Sequence, residues 1–345
     1  MDVFSPRRHR LRLLFVAVLL ASLPAAVGCR SDTATPSSSS ADSAATGAAP
    51  SPAASTMPPP DSATVADIPA DSVTNERFQR VMHFARRANL AERPPGQAIQ
   101  ALGRYFLGRP YLVGPLDQTL DQNPPEQLVC RLDGFDCFTF DEAVLALART
   151  VDDGSYSYDK YKDYTRRLRY RNGEIGYCNR QHYYTAFVKQ AEEQGVLKNI
   201  TRQIGGRRNP DKRYGFMSAH RGEYPQLESD SLYLCIQQVE KRLNRTMDYY
   251  YVPQDSIRAV YGKLKAGDLI STATDIDGLD VTHTGLVYKK ADTTGLLHAS
   301  TSGGVKISPD LQRYVQGVDS QIGIIVARPV FGEGESESAS ASGTR

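Results

Sequence analysis

Residues 134–150 decide the fold, and they read Gly-Phe-Asp-Cys-Phe-Thr-Phe-Asp-Glu-Ala-Val-Leu-Ala-Leu-Ala-Arg-Thr. Phe140, Val144 and Leu147 recur at helical spacing, so the pattern predicts a helix over 138–150 with one apolar face. Cys137 stands directly before this helix. Because a helix N-terminus carries partial positive charge and free N–H groups, it lowers the pKa of a thiol and stabilises a developing oxyanion. Cys137 is therefore the first candidate nucleophile; the alternative at this position is a structural cysteine.

Helical patterns fill the first part of the surrounding region, and short strand patterns fill the last part. This order predicts an α+β fold in which helices precede a small antiparallel sheet. Further helices are predicted around 78–88, 99–106, 181–194 and 232–244, and strands around 268–271, 282–288, 296–300, 304–307 and 322–327.

Two histidines lie on neighbouring predicted strands. His283 occurs in Val-Thr-His-Thr-Gly-Leu-Val-Tyr and His298 in Leu-Leu-His-Ala-Ser, with a predicted hairpin turn between them. Adjacent antiparallel strands bring such side chains within reach. One histidine is then a general base and the other fixes its tautomer and ring angle. The alternative is a metal pair, for which Cys178 and His182 are a weak second candidate pair; we expect neither a metal nor a cofactor.

Composition and charge exclude several classes of protein. The chain has 345 residues, a net charge of +2 and a mean hydropathy of -0.42, which excludes a multi-span membrane protein. Arginines in the first 28 residues supply the positive charge, and the remainder is weakly acidic, so nucleic acid is not an expected partner. The sequence contains no glycine-rich phosphate loop, dinucleotide fingerprint, His-Glu-x-x-His or Gly-x-Ser-x-Gly motif.

The N-terminus has the pattern of a lipoprotein signal peptide, predicted over residues 1–28. Arginines precede a short apolar run that ends in small residues before Cys29, which we expect to be lipidated. Ordinary signal cleavage beside an incidental cysteine is the alternative. Arg30, rather than Asp, follows Cys29, as in Gram-negative lipoproteins sorted to the outer membrane. The composition further predicts a disordered Ala/Ser/Pro/Thr tether over 29–72, one folded domain over 73–330 and a disordered tail over 331–345.

The remaining cysteines permit one disulfide. An exported protein normally pairs its cysteines, and Cys29 and Cys137 are set aside for lipid and chemistry. Cys130, Cys178 and Cys235 are left, so one of these three stays unpaired. The sequence does not determine which pair forms.

The order of these motifs resembles the papain-like, NlpC-type superfamily of bacterial cell-wall cysteine amidases and peptidases. The resemblance implies that Cys137 is the nucleophile, His283 the base and His298 the orienting residue. Tyr111, in Gly-Arg-Pro-Tyr-Leu-Val-Gly, is similar to a tyrosine on the substrate or oxyanion side of such sites. The motifs that carry the resemblance are Phe-Asp-Cys-Phe-Thr-Phe-Asp-Glu, Lys-Ala-Gly-Asp-Leu-Ile, Thr-His-Thr-Gly-Leu-Val-Tyr and Leu-His-Ala-Ser.

Motifs in the middle of the chain resemble one branch of that superfamily, the N-acetylmuramoyl-L-alanine amidase-like branch. The likeness extends from about Gly108 to Arg328. It implies hydrolysis of the amide between muramic acid and L-Ala in small anhydro-muramyl fragments released during peptidoglycan turnover. The motifs are Arg169-Tyr-Arg-Asn-Gly, Asn179-Arg-Gln-His-Tyr, Met217-Ser-Ala-His and Tyr250-Tyr-Val-Pro.

These branch-specific stretches supply the candidate residues for substrate recognition. Arg180 has the donor geometry to bind a carboxylate, and muropeptides are rich in carboxylates. His182 and Tyr183 are candidates to hydrogen-bond or stack on the sugar, and Glu223 and Tyr224 are weaker candidates. The alternative is that Arg180 pairs with a nearby acid and that His182 is a satisfied core residue.

Three other functions remain open at this point. The same fold could cut between D-Glu and the diamino acid of the stem peptide, or transfer an acyl group through the thiol. A non-catalytic muropeptide-binding lipoprotein is the third, although a binding protein needs neither a nucleophile nor a base. The sequence does not determine the oligomeric state. We expect a cell-envelope protein with muropeptides as its partners.

Overall fold

The computed structural model describes residues 70–117 and 126–331. The predicted signal peptide, Cys29, nearly all of the tether, and the tail after residue 331 lie outside the described residues. The described helices are α1 (Ala70–Arg87), α2 (Pro95–Tyr105), α3 (Cys137–Asp152), α4 (Tyr158–Arg169), α5 (Tyr184–Glu193), α6 (Thr201–Ile204), α7 (Phe216–Ala219), α8 (Asp230–Thr246) and α9 (Leu311–Gln316). None of them is long and apolar enough to cross a bilayer.

The strands form one antiparallel sheet, so the predicted α+β class is confirmed. Their order is β2-β3-β8-β4-β5-β6-β7, and β1 pairs with β8. The bounds are β1 (Leu197–Asn199), β2 (Arg207–Arg208), β3 (Tyr250–Pro253), β4 (Leu269–Thr274), β5 (Val281–Lys290), β6 (Thr293–Ser300), β7 (Gly304–Ser308) and β8 (Gln321–Pro329).

Alternation along the central strands places apolar side chains on both faces of the sheet. Leu286 and Leu297 pack on the face covered by α1–α5, and Val287 and Leu296 pack on the opposite face. On the helical side, α3 is the central element, and Phe140 is fully buried within it. Burying one such side chain contributes about 1.5–3 kcal/mol. α3 is thereby pressed against the sheet, and its first residue is held at the edge of the layer.

Helix α4 is the main element that hydrophobic spacing does not predict. Its inward face consists of Tyr158, Tyr161, Thr165 and Leu168, which follow helical spacing and are buried. Tyrosine and threonine carry hydroxyl groups and therefore give a weak apolar signal. Burial is possible because Thr165 donates its hydroxyl hydrogen bond to the carbonyl of Tyr161 at 2.9 Å.

Candidate active site

Cys137 is the first residue of α3, and local hydrogen bonds fix the start of that helix. Asp136 is the N-cap, and its carboxylate accepts from the backbone N–H of Thr139 at 2.7 Å. The Thr139 hydroxyl accepts from the N–H of Asp136 in return. The hydroxyl of Thr284, on β5, donates to the carbonyl of Cys137 at 2.9 Å. The thiol is thus positioned from its own helix and from the strand that carries His283.

The electrostatic surroundings of the thiol differ from the expected ones. Burial, followed by the carboxyl groups of Asp136 and Asp141, raises the pKa of Cys137 to about 12. The predicted direction, a pKa lowered by the helix N-terminus, is therefore wrong for the free protein. The main reason is that burial disfavours the charged thiolate, and the like charges of Asp136 and Asp141 add to this effect.

Asp141 is a buried acid without a cationic partner among its described contacts. It is 0% exposed, and its Oδ2 accepts from the hydroxyl of Tyr184 at 2.7 Å. Its Oδ1 has no hydrogen-bond partner among the described residues. Burial raises the pKa of Asp141 well above its ordinary value. A neutral carboxyl group is consistent with this setting, because an unpaired buried carboxylate is costly.

His283 and His298 form a hydrogen-bonded pair. Nε2 of His283 and Nδ1 of His298 are 2.7 Å apart, and Nε2 of His298 lies 3.0 Å from the hydroxyl of Ser308 on β7. One consistent assignment has His283 donating to His298 and His298 donating to Ser308. Nδ1 of His283 then keeps a free lone pair for the thiol proton. The sequence predicts a base and an orienting residue here, and the structure brings the two rings together.

Gly285 is the reason that the second imidazole can lie so close to β5. The strand register pairs Leu286 with Leu297, which places Gly285 opposite His298. A Cβ atom on Gly285 would come within 2.8 Å of the Cβ of His298 and 2.9 Å of the carbonyl of Leu297. No side chain larger than hydrogen fits without moving the imidazole or the strand.

Tyr314, on α9, is a residue of the site that the sequence analysis missed. Its ring centroid is 5.6 Å from that of His283 and 4.8 Å from that of His298. Burial and the charge of Cys137 raise the pKa of its phenol. No local motif marks Tyr314, because only the return of the chain after β7 brings α9 over the histidines.

Both histidines are neutral in this environment. Burial lowers the pKa of His283 to about 4. Burial, then the charges of His283 and Lys306, lowers the pKa of His298 to about 3. The resting pair is therefore a thiol and a neutral imidazole. The arrangement favours proton transfer during nucleophilic attack over a preformed thiolate.

Cys137 and His283 line the same open cleft, which has a volume of about 250 Å³. Tyr111 also lies beside the nucleophile, although it stands far upstream in the sequence. It forms a parallel bridge with Phe135, and burial, then the charges of Cys137 and Asp136, raises the pKa of its phenol. The described arrangement therefore brings the predicted oxyanion-side tyrosine to the thiol.

Arg180 and His182 lie on the wall of this cleft. Arg180 is buried and pairs with Asp117 at 2.8 Å and Glu126 at 3.5 Å. Nε2 of His182 donates to the carbonyl of Tyr177 at 2.7 Å, and burial lowers the pKa of this imidazole to about 3. Both residues combine internal contacts with cleft positions, so their role in recognition stays a prediction.

The other predicted recognition residues lie farther from the thiol. Tyr183 is 1% exposed and donates to Glu240 at 2.8 Å, within the core beneath α8. Tyr224 lines a side compartment of about 110 Å³ that shares Asp117, Arg180 and His182 with the cleft. Glu223 is exposed on a short 3-10 turn and does not line the cleft or this compartment.

The structure settles the cysteine pairing that the sequence leaves open. Cys178 and Cys235 form a disulfide that ties α8 to the segment before Arg180, and Cys130 and Cys137 are free. Cys235, which lies in the apolar part of α8, is therefore not a free packing cysteine. The disulfide also removes Cys178 as a thiolate partner for His182. Across 70–117 and 126–331, no three His, Cys, Asp or Glu side chains are grouped as metal ligands.

Comparison with known proteins places this site in a family. A family model of AmiA-like, N-acetylmuramoyl-L-alanine amidase-like proteins matches residues 101–324. The chain belongs to this family. The matched region contains the nucleophile and base candidates, and membership supports an amidase-like hydrolase function directed at the cell wall.

Solved structures agree with this assignment. An N-acetylmuramoyl-L-alanine amidase from Bacteroides uniformis is 29% identical with a TM-score of 0.62, covering 68% of this chain and 98% of its own. A Bacteroides fragilis protein that is provisionally named a xylanase is 31% identical with a TM-score of 0.60, covering 66% and 98%. A Legionella pneumophila protein, 19% identical with a TM-score of 0.55 over 75% and 97% of the two chains, shows the fold alone. Comparison with curated proteins gives no match.

Proposed function

We propose that the protein is a cysteine amidase with a papain-like, NlpC-type fold that hydrolyses the bond between N-acetylmuramic acid and L-Ala. The observation that carries the proposal is the cleft shared by Cys137, at the first turn of α3, and His283, which is hydrogen-bonded to the buried His298. The amidase-like family supplies the bond type. The substrate class is muropeptides, in anhydro or reducing form.

The reaction requires only groups that line or adjoin this cleft. Sγ of Cys137 attacks the lactyl carbonyl while Nδ1 of His283 takes the thiol proton. The N–H groups at the start of α3 and the hydroxyl of Tyr111 are the proposed donors to the oxyanion. His283 then protonates the departing amine of L-Ala. Water hydrolyses the thioester, which releases the muramic acid carboxylate and restores the thiol.

The acids of the cleft do not favour glycoside hydrolysis, the activity in the provisional name of the Bacteroides fragilis neighbour. That chemistry needs two carboxyl groups facing the glycosidic bond. Asp136 caps α3, and Asp117 pairs with Arg180. Asp280 accepts from both the N–H and the hydroxyl of Thr185. The three acids among the described residues that line the cleft are thus held in internal contacts.

Mass spectrometry of defined anhydro-muramyl and reducing muropeptides tests the proposal. The expected products are the intact stem peptide with a free L-Ala amine and the corresponding sugar acid. Cys137→Ala should abolish their formation. Cys130→Ala, which removes the other free thiol, is the matched control and should retain activity.

The other outcomes identify competing functions. Cleavage between D-Glu and the diamino acid would make the protein a stem-peptide endopeptidase with the same catalytic residues. Binding without cleavage would favour a muropeptide-binding protein. Transfer of the muramyl acyl group from the thioester to an added amine, in place of water, would favour acyl transfer.

We further propose that Cys29 carries a lipid that anchors the protein in the outer membrane, facing the periplasm. The support is the small-residue run before Cys29 and the arginine after it. Cys29→Ala should move the protein from the outer-membrane fraction to the soluble fraction. A variant that still fractionates with membranes would contradict the anchor.

A further inference from the structure

A second concave surface lies at the far end of α3, away from the cleft. Its volume is about 680 Å³, and it is bounded by the last turns of α3 and α4, the turn after α4, and α5. Cys137 and Arg149 are separated by roughly 18 Å of helix axis. We call this surface the arginine groove, because its lining includes Arg149, Arg166, Arg167 and Arg171.

Four arginines face three acids at the arginine groove, because Glu193 lines it, Asp152 pairs with Arg149 at 3.2 Å, and Asp163 lies beside the arginines of α4. Asp163 accepts from both Arg166 at 2.6 Å and Arg167 at 2.8 Å, so one carboxylate serves two guanidinium groups. Arg171 donates to the neutral amide oxygen of Asn179 at 2.7 Å. Arg167 has a side chain that is 58% exposed. Anionic groups of a ligand can therefore reach guanidinium donors that the protein's own acids do not saturate.

The backbone that carries these arginines is firmly held. The amide of Gln190 donates to the carbonyls of Leu168 at 3.1 Å and Tyr170 at 3.0 Å, which satisfies the C-terminal end of α4. Arg166 donates to the carbonyl of Gly173, whose φ of 70° only glycine adopts without strain. The groove is a preformed surface, which lowers the ordering cost of binding.

Helix-dipole stabilisation explains part of this arrangement. Basic residues commonly occupy the last turn of a helix, as Arg166 and Arg167 do in α4. Arg149 occupies the last turn of α3 in the same way, and the dipole leaves only Arg171, which follows α4, unexplained. Arg167, whose side chain is exposed, and Arg171, whose partner is a neutral amide, are the donors that match a ligand with several carboxylates.

We propose that the arginine groove binds the carboxylate-bearing stem peptides of an uncleaved cell-wall strand, outside the catalytic cleft. This inference rests on the proposed function for the identity of the ligand. Stem peptides repeat along a glycan and carry free carboxylates, which planar guanidinium forks bind in bidentate geometry. The groove would retain the enzyme on the polymer while the cleft acts on one muramyl end.

Co-sedimentation of full-length protein with purified sacculi tests the proposal. Cys137→Ala is the background, so that the polymer stays intact. The groove variant is Arg167→Gln with Arg171→Gln, and the matched control is Arg207→Gln with Arg208→Gln, which neutralises an adjacent pair on β2. We expect the groove variant to bind sacculi about tenfold more weakly, and to lose salt sensitivity, while the control binds like the parent.

A second assay separates this proposal from the proposed function. The same substitutions are made in the protein that retains Cys137, and the rate of hydrolysis of small soluble muropeptides is measured. Unchanged hydrolysis by the groove variant, together with weaker sacculus binding, supports the groove. Sacculus binding equal to that of the parent overturns it. Anionic lipid vesicles provide a second binding assay. If the groove variant binds these vesicles more weakly than the parent does but binds sacculi equally well, the proposal is overturned and the groove is a membrane-facing surface. Failure of the active parent to hydrolyse muropeptides refutes the proposed function and is read independently of sedimentation.

Discussion

The two sides of the cleft hold their reactive groups in opposite electrostatic settings. On the helix side, Cys137 lies beside the carboxyl groups of Asp136 and Asp141, which oppose its ionisation. On the sheet side, His283 contacts a second imidazole and the phenol ring of Tyr314. The thiol is therefore difficult to ionise alone, and the nearby imidazole stays neutral and ready to accept its proton. This contrast supports the proposal that the sheet side activates the nucleophile.

Among the changes that test this contrast, removal of the proposed base should have the largest effect on hydrolytic activity. His283→Gln should lower kcat/KM for muropeptide hydrolysis by about 10²–10⁴-fold, because the thiol loses its proton acceptor. Measured hydrolysis rates check this. His83→Gln is the control, since His83 is exposed on α1, away from the cleft. Equal rates for the His283 variant and the parent would remove this residue from the mechanism.

Displacement of the imidazole pair should have the next largest effect. Gly285→Ala adds a Cβ against His298 and the carbonyl of Leu297. We expect a loss of about 1–3 kcal/mol of stability and a fall in kcat of up to about 100-fold, because reacting groups tolerate little misplacement. Thermal unfolding and steady-state kinetics measure the two effects. Gly222→Ala, at an open position, is the control; unchanged kcat in Gly285→Ala would show that the pair tolerates displacement.

The two sides also differ in how far sequence predicts them. The helix start is coded locally, because Asp136 and Thr139 form a capping box around Cys137. The two histidine strands are predicted by alternation and a turn, since β5 and β6 form a hairpin in register. Tyr314 cannot be predicted in this way, because its contact with the histidines depends on the path of the chain from β7 to α9.

Burial is the property that local patterns predict least well. The expected low pKa of Cys137 follows from its position at a helix N-terminus. The observed direction depends first on burial of the sulfur, and then on the nearby carboxyl groups of Asp136 and Asp141. The buried tyrosines of α4 likewise give a weak apolar signal, so the sequence pattern does not predict the inward face of this helix. Both differences arise because polar side chains enter the interior with hydrogen-bond partners that are distant in sequence.

Replacement of the buried acid should change the thiol pKa by an intermediate amount. Asp141 is neutral near pH 7 and acquires its charge only as the pH rises toward the thiol pKa, and Asp141→Asn removes that charge while it keeps an acceptor for the Tyr184 hydroxyl. Burial, the main cause of the raised pKa of Cys137, stays, so this pKa should fall by the part of its shift that Asp141 contributes. The pH profile of iodoacetamide labelling should therefore shift to lower pH. Asp159→Asn, at a side chain 89% exposed, is the control; an unshifted profile for Asp141→Asn would show that its charge does not reach the sulfur.

The same variant should change the pH dependence of stability. The pKa of Asp141 is raised on folding, so ionisation in the unfolded chain favours unfolding as pH rises above about 4. Asp141→Asn should therefore have a higher Tm than the parent at neutral pH, with the difference shrinking toward pH 4. A difference in Tm that is constant with pH would contradict an acid that is neutral in the folded protein.

The smallest effect should come from the far end of the imidazole pair. Ser308→Ala removes the hydroxyl 3.0 Å from Nε2 of His298, so the second ring loses the partner that fixes its tautomer. We expect kcat to fall by about three- to tenfold with KM unchanged, and Ser308→Thr to restore it. If the Ser308 hydroxyl has only a structural role, Ser308→Ala should lower Tm without a selective fall in kcat. Unchanged kcat in Ser308→Ala would mean that the ring contact with Tyr314 and the position opposite Gly285 are sufficient to hold His298.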